Sequence, residues 1–196
     1  MDAEQWDERY RSTPALWGAP NTILEPILAA LPPGRAVDVA CGDGRHTAWL
    51  AGRGWHAHGV DFSAEAVSQA RERRGGATYD VADVRRWEPD GPVDLVLVAY
   101  LHLSVAERTA LLRRALGWLG AQGHLVLLAH AHENLRHGVG GPQDPAILPR
   151  VDELAAELRG TRVHRLQHVT RRTDAGSAVD VLAVVGPWPS IEPVSG

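Results

Sequence analysis

Residues 37–45 read VDVACGDGR, an apolar strand-like run that ends in closely spaced small residues. The small residues Ala40, Gly42 and Gly44 fall two positions apart, and Arg45 opens a helix-like segment. A turn of small residues between a strand and a helix lets a ligand approach the backbone closely. The stretch therefore predicts a ligand-binding turn at the carboxyl end of a strand.

The spacing of these small residues distinguishes between kinds of ligand. It does not fit the G-x-G-x-x-G fingerprint of dinucleotide-binding proteins, and no Gly-Lys-Ser/Thr follows as in a phosphate-binding loop. Small residues two positions apart let the turn pass flat beneath a ligand, without presenting consecutive N–H groups to a pyrophosphate. This spacing disfavours a nicotinamide-dependent oxidoreductase and favours a different adenosine cofactor.

Length and composition limit the classes of protein to consider. The 196 residues, with 44% hydrophobic content, fit one domain with a full-sized core. No apolar run reaches the roughly 18 residues of a membrane span, and residues 1–10 are acidic and lack the apolar core of a signal peptide. The formal charge of −4 gives no reason to expect nucleic acid, and a single cysteine suits a reducing compartment. We expect one cytoplasmic domain that binds neither nucleic acid nor membranes.

Strand-like and helix-like segments alternate along the chain. Strands are predicted at 35–40, 55–60, 77–81, 93–99 and 124–129, and helices at 45–53, 64–74 and from the capping-box residue Ser104 to about 119. Such repeats imply a parallel sheet wound on both faces. The last two strands, 161–170 and 178–185, are joined by DAGS and read as a hairpin. The fold class is therefore α/β, a doubly wound, mostly parallel seven-stranded sheet (Rossmann-like) that ends in an antiparallel hairpin.

Acidic residues stand at or near the ends of three successive strands. Asp38 lies near the end of the first, Asp61 ends the second in HGVDFS, and Asp83 ends the third in DVADV. Ligands of such sheets bind at the carboxyl ends of the strands. An acid at the second strand can accept both ribose hydroxyls, and one at the third can accept from an adenine amino group.

These motifs resemble those of class I S-adenosylmethionine-dependent methyltransferases. The resemblance rests on VDVACGDGR, GVDFS, VADV and the closing hairpin, and covers roughly residues 20–186. It is closest to small bacterial methyltransferases of the tellurite-resistance and thiopurine type, which place a Trp-x-x-Pro-Asn-like segment before the first strand. Here that segment is Trp17-Gly18-Ala19-Pro20-Asn21.

The resemblance assigns the cofactor contacts residue by residue. Asp38, Ala40, Gly42 and Gly44 would line the methionine end of S-adenosylmethionine, Asp61 would bind the ribose, and Asp83 with Val84 the adenine. The remaining cofactor-binding candidates are Tyr10, Trp17, Phe62 and Ala99. The family usually has glycine where this chain has Ala40, and a methyl group is tolerable there if φ is negative.

The candidate catalytic residues follow the fourth and fifth strands. The sulfonium of the cofactor already activates the methyl group, so the protein needs a base only if the acceptor carries a proton. His102 is the first candidate to contact the acceptor or relay a proton, and Tyr100 and His130 are further candidates. Alternatively, His102 is a neutral histidine hydrogen-bonded to backbone. His130 and His132 could ligate a metal with His137, but no supporting ligand set is present and we expect none. The pair could otherwise line the acceptor pocket or be simply polar residues in a loop.

Two segments fall outside the regular pattern, and both are candidate covers for the site. Residues 1–20 are predicted to form an N-terminal lid segment, and residues 131–150 a substrate-side loop without regular structure. Trp6 and Tyr10 are four residues apart and could instead share one face of a packed helix. Trp17 is interpreted as part of the lid, and Arg11 as a weak candidate for the methionine carboxylate.

Two further features are interpreted as structural. Cys41 lies between small residues in a turn, where a small apolar residue is expected, so we interpret it as packing. Arg171 and Arg172 are interpreted as the solvated edge of the hairpin.

The sequence thus predicts a single methyltransferase domain over residues 1–196. It would use S-adenosylmethionine, yield S-adenosylhomocysteine, and methylate N, O, S or a chalcogen on a small molecule. The alternative is an S-adenosylmethionine-binding sensor or partner protein without transferase activity. A monomer and a homodimer both remain open, and so does the identity of the acceptor.

Overall fold

A computed structural model describes residues 3–12, 20–72 and 75–187 of the chain. The helices are α1 (Ala3–Ser12), α2 (Leu24–Ala29), α3 (Arg45–Ala51), α4 (Ala64–Arg71), α5 (Val105–Trp118), α6 (Asn134–His137) and α7 (Val151–Glu157). The strands are β1 (Arg35–Val39), β2 (His56–Asp61), β3 (Thr78–Val81), β4 (Val93–Ala99), β5 (Leu119–His130), β6 (Val163–Thr173) and β7 (Gly176–Val185).

All seven strands form one sheet in the order β3-β2-β1-β4-β5-β7-β6. The first five strands run parallel to one another, whereas β7 is antiparallel to both β5 and β6. The predicted fold class, including the closing hairpin, is confirmed. The register places His130 at the end of β5 opposite Asp180 of β7.

The core lies on both faces of the sheet. Leu95 and Leu97 of β4 are buried in a cluster with α2, while Val96 and Val98 are buried in a second cluster with α5. Alternate residues of a strand point to opposite faces, so a strand covered on both sides has to be apolar throughout. This explains the run VDLVLVA and confirms β4 as a central strand.

A capping box begins the helix that follows β4. The Ser104 hydroxyl accepts a hydrogen bond from the Glu107 N–H, and the Glu107 carboxylate accepts one from the Ser104 N–H. The predicted start of this helix is confirmed. It fixes the loop from residue 100 to 103, which carries two of the candidate catalytic residues, at the carboxyl edge of the sheet.

Several boundaries and elements differ from the prediction. The hairpin turn is only Asp174 and Ala175, because β6 and β7 extend to Thr173 and Gly176. The segment 131–150 is not structureless, since it contains α6 and a 3₁₀ turn at Pro145–Ile147. The short helices α2 and α7 were not predicted, as six or seven residues carry too little periodicity to identify a helix. Within the described ranges, no helix is both long and apolar enough to cross a membrane.

Candidate active site

The carboxyl ends of the parallel strands bring most of the predicted site residues to one edge of the sheet. The residues that lie there are Ala40, Gly42, Gly44, Asp61, Phe62, Asp83, Val84, Ala99, Tyr100, His102 and His130. Trp17 lies outside the described residues. The edge divides into a turn after β1 with its neighbours in β2 and β3, and a polar group around the ends of β4 and β5.

The turn after β1 is left-handed at all three of its small residues. The φ angles are +57° at Ala40, +55° at Gly42 and +74° at Gly44. A Cβ on Gly42 would lie 2.4 Å from the Tyr10 hydroxyl, and one on Gly44 would lie 2.7 Å from the Ala70 Cβ. Backbone conformation therefore favours glycine at both positions, and close packing against Ala70 requires it at Gly44 as well.

Ala40 departs from the expected conformation. A methyl group at this position was expected to be tolerable with a negative φ, but the φ angle is +57°. The left-handed region brings Cβ close to the following carbonyl oxygen and is unfavourable for any residue but glycine. Tyr100, at the tip of the adjacent strand β4, has a φ of +59°. Two strained non-glycine residues thus stand side by side at the site, which is typical of functional edges.

Replacing Ala40 with glycine is expected to stabilise the protein. Relief of the left-handed strain should add about 1 kcal/mol to the free energy of unfolding and raise the melting temperature by roughly 2–4 °C. Thermal unfolding followed by circular dichroism measures the shift. Ala36→Gly on the same strand is the matched control and should lower the melting temperature, because Ala36 is extended and buried. Equal destabilisation by both variants would contradict this account of Ala40.

Asp61 connects the turn after β1 to the end of β2. Its Oδ2 accepts a hydrogen bond from the Gly42 N–H at 2.9 Å, and its Oδ1 accepts one from the Ser63 N–H at 2.9 Å. The residue is 5% exposed, and burial raises its pKa above the usual value. Each carboxylate oxygen has a second lone pair, so Asp61 can fix the turn and still accept from a ligand.

Asp38 lies one strand away with an unsatisfied oxygen. Its Oδ2 accepts a hydrogen bond from the Thr47 hydroxyl at 2.7 Å, whereas its buried Oδ1 has no partner among the described residues. Asp38 is 1% exposed, and burial raises its pKa to about 7. A buried carboxylate oxygen without a partner is costly. The oxygen suits a cationic donor such as the ammonium group of the expected cofactor.

Asp83 is already held by an arginine of the same loop. Its Oδ1 accepts from the Arg85 Nε at 2.9 Å and from the Arg85 N–H at 2.9 Å. These hydrogen bonds lower the pKa of Asp83. Arg85 also binds Glu107 at 3.0 Å, which ties the loop after β3 to the start of α5. The Val84 side chain is buried in the core, so only its backbone can serve a ligand.

The first helix covers the turn after β1. The Asp7 carboxylate accepts hydrogen bonds from the Ser63 hydroxyl at 2.5 Å and the Glu65 N–H at 3.1 Å, and Gln69 donates to the Tyr10 carbonyl at 2.9 Å. These bonds hold α1 on α4. They place the Tyr10 hydroxyl against Gly42, where burial raises the pKa of Tyr10.

Tyr10 therefore fits both interpretations of the N-terminal aromatic residues, a cover over the site and one face of a packed helix. The Trp6 and Tyr10 rings lie 5.8 Å apart on one helix face, as the packed-helix alternative expects. Arg11, in contrast, contacts Glu8 and lies 4.0 Å from Glu65. Its guanidinium is thus committed to α1 and α4 and is poorly placed for the methionine carboxylate.

Arg45 is a better cation for that carboxylate, and the sequence analysis did not single it out. It directly follows Gly44, is half-buried, and has no carboxylate within ion-pair distance in the described part of the chain. Its Nη2 lies 3.5 Å from the His46 Nε2. A half-buried guanidinium without a carboxylate partner is suited to bind an anion.

The side chains at the ends of β4 and β5 pack against one another. The ring centroids of Tyr100 and His130 are 5.1 Å apart, and those of His102 and His130 are 5.6 Å apart and nearly parallel. Burial, and then the neighbouring His130, lower the pKa of His102 to about 4, while a hydrogen bond to the Tyr100 backbone opposes the shift. His102 is thus neutral at neutral pH, and its buried Nε2 has no partner among the described residues.

Asp180 is the centre of this group, although it was not among the residues predicted from the sequence. It is 0% exposed, and its Oδ2 accepts from the Tyr100 hydroxyl at 2.8 Å and the Arg171 Nε at 3.0 Å. Its Oδ1 lies 3.1 Å from the His130 Nδ1. Burial raises the pKa of Asp180, but the bonds from His130, Tyr100 and Arg171 outweigh burial and lower it. We name Asp180, Tyr100, His130 and Arg171 the Asp180 cluster.

The Asp180 cluster corrects the interpretation of Arg171 as a solvated hairpin edge. The Arg171 side chain is 21% exposed, and its Nε contacts both Asp180 and the Tyr100 hydroxyl. That hydroxyl also accepts from the Asn21 side chain at 2.8 Å. It therefore uses its one donor and both acceptor positions, so the geometry favours a positioning role for Tyr100 over proton transfer.

The segment 131–150 is docked on this cluster. The Asn134 side chain is buried, accepts from the Val179 N–H at 2.7 Å and donates to the Gly140 carbonyl at 2.9 Å. A Cβ on Gly141 would lie 2.7 Å from the His130 ring. The glycines of this segment thus permit close packing over His130, and the buried amide anchors the segment to β7.

Cys41 and the histidines after β5 are the residues for which packing and metal binding were considered. Cys41 is buried, and burial raises the pKa of its thiol well above the usual value, which fits packing. Across residues 3–12, 20–72 and 75–187, no three His, Cys, Asp or Glu side chains are arranged to hold a metal ion.

Several known proteins similar to this chain are methyltransferases. Residues 36–123 match the family described as "Methyltransferase domain". The chain is 29% identical to trans-aconitate 2-methyltransferase from Methylobacterium radiotolerans, covering 86% of this chain and 75% of that protein. It is 31% identical to trans-aconitate 2-methyltransferase from Methylobacterium nodulans, covering 92% of this chain and 70% of that protein.

The fold is similar to that of a methyltransferase solved with the demethylated cofactor. Magnesium protoporphyrin IX methyltransferase from Synechocystis PCC 6803, with bound S-adenosylhomocysteine, matches with a TM-score of 0.66 and 16% identity over 93% of each chain. None of these similarities supports the alternative of a binding protein without transferase activity. The chain therefore belongs to the class I S-adenosylmethionine-dependent methyltransferases, with S-adenosylmethionine as cofactor and S-adenosylhomocysteine as product.

Proposed function

We propose that this methyltransferase transfers a methyl group to a carboxylate oxygen of a small organic acid. One observation carries the proposal. Arg171 is held through its Nε by Asp180 and Tyr100 at the acceptor side of the edge, and its two Nη groups have no partner among the described residues. A planar guanidinium fixed at Nε presents its remaining N–H groups for bidentate binding of a carboxylate.

The protonation state of His102 supports an acceptor that needs no base. With its pKa lowered to about 4, His102 is neutral at neutral pH but is a weak proton acceptor. A carboxylate acceptor is already an anion and loses no proton on methylation. His102 would then line the acceptor pocket beside His130 instead of removing a proton.

The similarity to two trans-aconitate 2-methyltransferases agrees with this acceptor class. Trans-aconitate is a tricarboxylate, and carboxylate oxygens are its only nucleophilic heteroatoms. The chain spans between 51% and 75% of the length of three such relatives. The proposal therefore names the class, a small di- or tricarboxylate, with trans-aconitate as the first compound to test.

The residues at the turn after β1 fit the cofactor. Asp38 would accept from its ammonium group and Arg45 would bind its carboxylate, as the partnerless Asp38 Oδ1 and the lack of a carboxylate beside the Arg45 guanidinium indicate. Asp61 would accept from the ribose. The other proposed contacts are Phe62, Asp83, the Val84 backbone, Ala99, the Ala40–Gly44 turn, Tyr10 and Trp17.

The protein contributes positioning and exclusion of water. When bound, the cofactor supplies a methyl group on a sulfonium, whose carbon–sulfur bond breaks as the new carbon–oxygen bond forms. Arg171 would orient the acceptor, and the walls formed by Tyr100, His102 and His130 would align it. Segments 1–20 and 131–150 would cover the site. Alignment of two reactants and exclusion of water can supply most of the acceleration of such a transfer.

Methylation of a carboxylate is expected to release no proton, because the sulfonium becomes a neutral thioether and the reacting carboxylate becomes a neutral ester group. Transfer to an O–H, N–H or S–H group would release one proton for each methyl group. The reaction is followed with trans-aconitate, and with citrate, which also carries a hydroxyl group, in weak buffer containing a pH indicator, while S-adenosylhomocysteine is quantified separately. A methyl-labelled product should also release methanol in mild alkali, as esters do and methylamines and thioethers do not.

Proton release in step with S-adenosylhomocysteine, or a product stable to alkali, would contradict the carboxylate proposal. A standard addition of acid calibrates the indicator, and a reaction without acceptor gives the background. Failure of fumarate, citrate and trans-aconitate alike to accept a methyl group would also refute it.

We further propose that the acceptor is a free small molecule and that the protein acts in the cytoplasm, as a single domain that is a monomer or a homodimer. The formal charge of −4 disfavours nucleic acid as a substrate. A buried, unpaired cysteine agrees with a reducing compartment. Sedimentation of the purified chain measures the oligomeric state directly.

A further inference from the structure

The arginines that are withdrawn from solvent differ in their partners. Arg108, Arg114 and Arg171 each contact at least one carboxylate, of Glu157, Glu88 and Asp180 respectively. Arg150 is also half-buried, but no carboxylate among the described residues lies within ion-pair distance of it. Arginine side chains held away from water normally require a counter-charge. Among the described residues Arg150 shares this lack of a carboxylate partner with Arg45, which lies at the turn after β1, and it is the one of the two that lies in segment 131–150.

The contact that Arg150 does make leaves its charge uncompensated. Its Nη2 lies 2.7 Å from the His132 Nε2. A guanidinium can only donate, so the His132 Nε2 accepts, and an imidazole that accepts carries no negative charge. The contact fixes the direction of the guanidinium without neutralising it.

Arg150 and His132 line a cavity of about 180 Å³. The other lining residues are Glu133, Arg136 and His137. Glu133, the one acidic member, is engaged at 2.9 Å by the His168 Nε2. Two arginines and two histidines against one occupied carboxylate make this cavity suited to an anionic group of a few atoms.

The cavity adjoins the acceptor side of the site. His132 follows His130 of the Asp180 cluster by two residues, so the two Cα atoms lie at most roughly 7 Å apart. Gly141 of the same segment lies against the His130 ring. Arg150 directly precedes α7, which the buried Arg108 holds to α5 through Glu153 and Glu157. The guanidinium thus has a rigid support close to the proposed methylation point.

We propose that the Arg150–His132 cavity binds a second carboxylate of the acceptor, while Arg171 binds the carboxylate that is methylated. This inference rests on the proposed function and deepens it, because it makes the enzyme selective for acids with more than one carboxylate. One carboxylate would be neutralised by methylation at the Asp180 cluster, and the other would remain ionised at Arg150.

Arg150→Gln is expected to raise the KM for trans-aconitate by roughly tenfold to a hundredfold, as loss of one charge-assisted contact does. The kcat value and the KM for S-adenosylmethionine should stay within about twofold, because the methylation point is untouched. Arg150→Lys should recover part of the affinity, since it restores the charge but not the planar fork. Arg159→Gln is the matched control, because Arg159 is an exposed arginine just beyond the same helix, and it should leave all parameters unchanged.

Crotonate, a monocarboxylate with a trans double bond, separates a second-carboxylate site from a general effect. Measured as an acceptor or as a competitive inhibitor of trans-aconitate, it should bind wild type and Arg150→Gln equally well. Equal losses for crotonate and trans-aconitate would overturn the inference, since the cavity would then not serve a second carboxylate. An unchanged KM for trans-aconitate in Arg150→Gln would overturn it as well.

The same experiments separate this inference from the function on which it rests. If wild type methylates trans-aconitate and only the Arg150 result fails, the acceptor class stands and the second subsite is wrong. If wild type methylates no carboxylate, both the proposed function and this inference are wrong.

Discussion

Asp180→Asn is expected to lower kcat/KM for the acceptor by roughly 100-fold, the size of loss caused by misplacing a reacting group by about 1 Å. The affinity for S-adenosylhomocysteine should be almost unchanged. The loss arises because an asparagine carries no charge to hold the Arg171 guanidinium, and because its amide offers one acceptor oxygen where the carboxylate offers two, Oδ2 to Tyr100 and Arg171 and Oδ1 facing His130. Steady-state kinetics and calorimetric titration measure the two quantities.

The variant is also expected to be less stable, by about 3 kcal/mol, because removing one partner of a buried pair leaves an uncompensated charge. Asp180 is fully buried and Arg171 largely so. Retained binding of S-adenosylhomocysteine shows that Asp180→Asn is folded at the assay temperature. Asp174→Asn, in the exposed turn of the same hairpin, is the matched control and should change neither stability nor turnover.

A double-mutant cycle tells positioning from a general loss of structure. If Asp180 acts by holding Arg171, adding Asp180→Asn to Arg171→Met should cause little further loss of kcat/KM, because the group that it positions is already absent. Fully additive losses, or a kcat/KM near that of wild type in Asp180→Asn, would show that the Asp180 cluster does not direct the acceptor.

The fold was predictable because each level of the sequence indicates the same architecture. The apolar run of β4, the capping box at Ser104 and the alternation of strands and helices are local signals that tertiary structure reinforces. The elements that were not predicted from the sequence are short helices. Helices such as α2 and α7 owe their stability to burial of a few side chains, here Leu24, Leu28 and Leu154, and not to a periodic pattern.

The cofactor side was more predictable than the acceptor side for a topological reason. Residues that follow parallel strands meet at one edge, so Gly42 and Asp61 could be paired from sequence. Asp180 lies on β7, the antiparallel strand that comes last along the chain. Its contact with His130 depends on the register of β5 with β7. One signal was available, since Asp180 is the only charged residue in the apolar run 178–185. A charge within a buried strand needs partners, and partners of that kind commonly form a site.

The φ angle of Ala40 could not be derived from its residue type. Alanine argues against the left-handed region, yet the path from β1 into α3 imposes a φ of +57°. The same conflict occurs at Tyr100, the next strand tip along the edge. At both positions the preference of a non-glycine residue for a negative φ is overruled, because the chain has to turn away from the ligand-binding edge of the sheet. Such conflicts are expected at functional sites.

Asp61→Asn is expected to weaken S-adenosylhomocysteine binding by roughly 100-fold, since each hydrogen bond to a charged group contributes about 1.5–3 kcal/mol. Asp61 holds both the Gly42 and the Ser63 N–H groups, and an asparagine can accept from only one of them. Calorimetric titration measures the affinity. Asp80→Asn, on the exposed strand β3 next to it, is the control and should bind like wild type.

A ribose analogue distinguishes direct contact from distortion of the turn. If Asp61 binds the ribose, wild type should bind the 2′-deoxy analogue of S-adenosylhomocysteine more weakly than the parent compound, and Asp61→Asn should bind both compounds alike. The two losses would then not add, because they remove the same interaction. An Asp61→Asn protein that still prefers the parent compound by the wild-type factor would show that Asp61 only supports Gly42, and that the ribose hydroxyls are bound elsewhere on the edge.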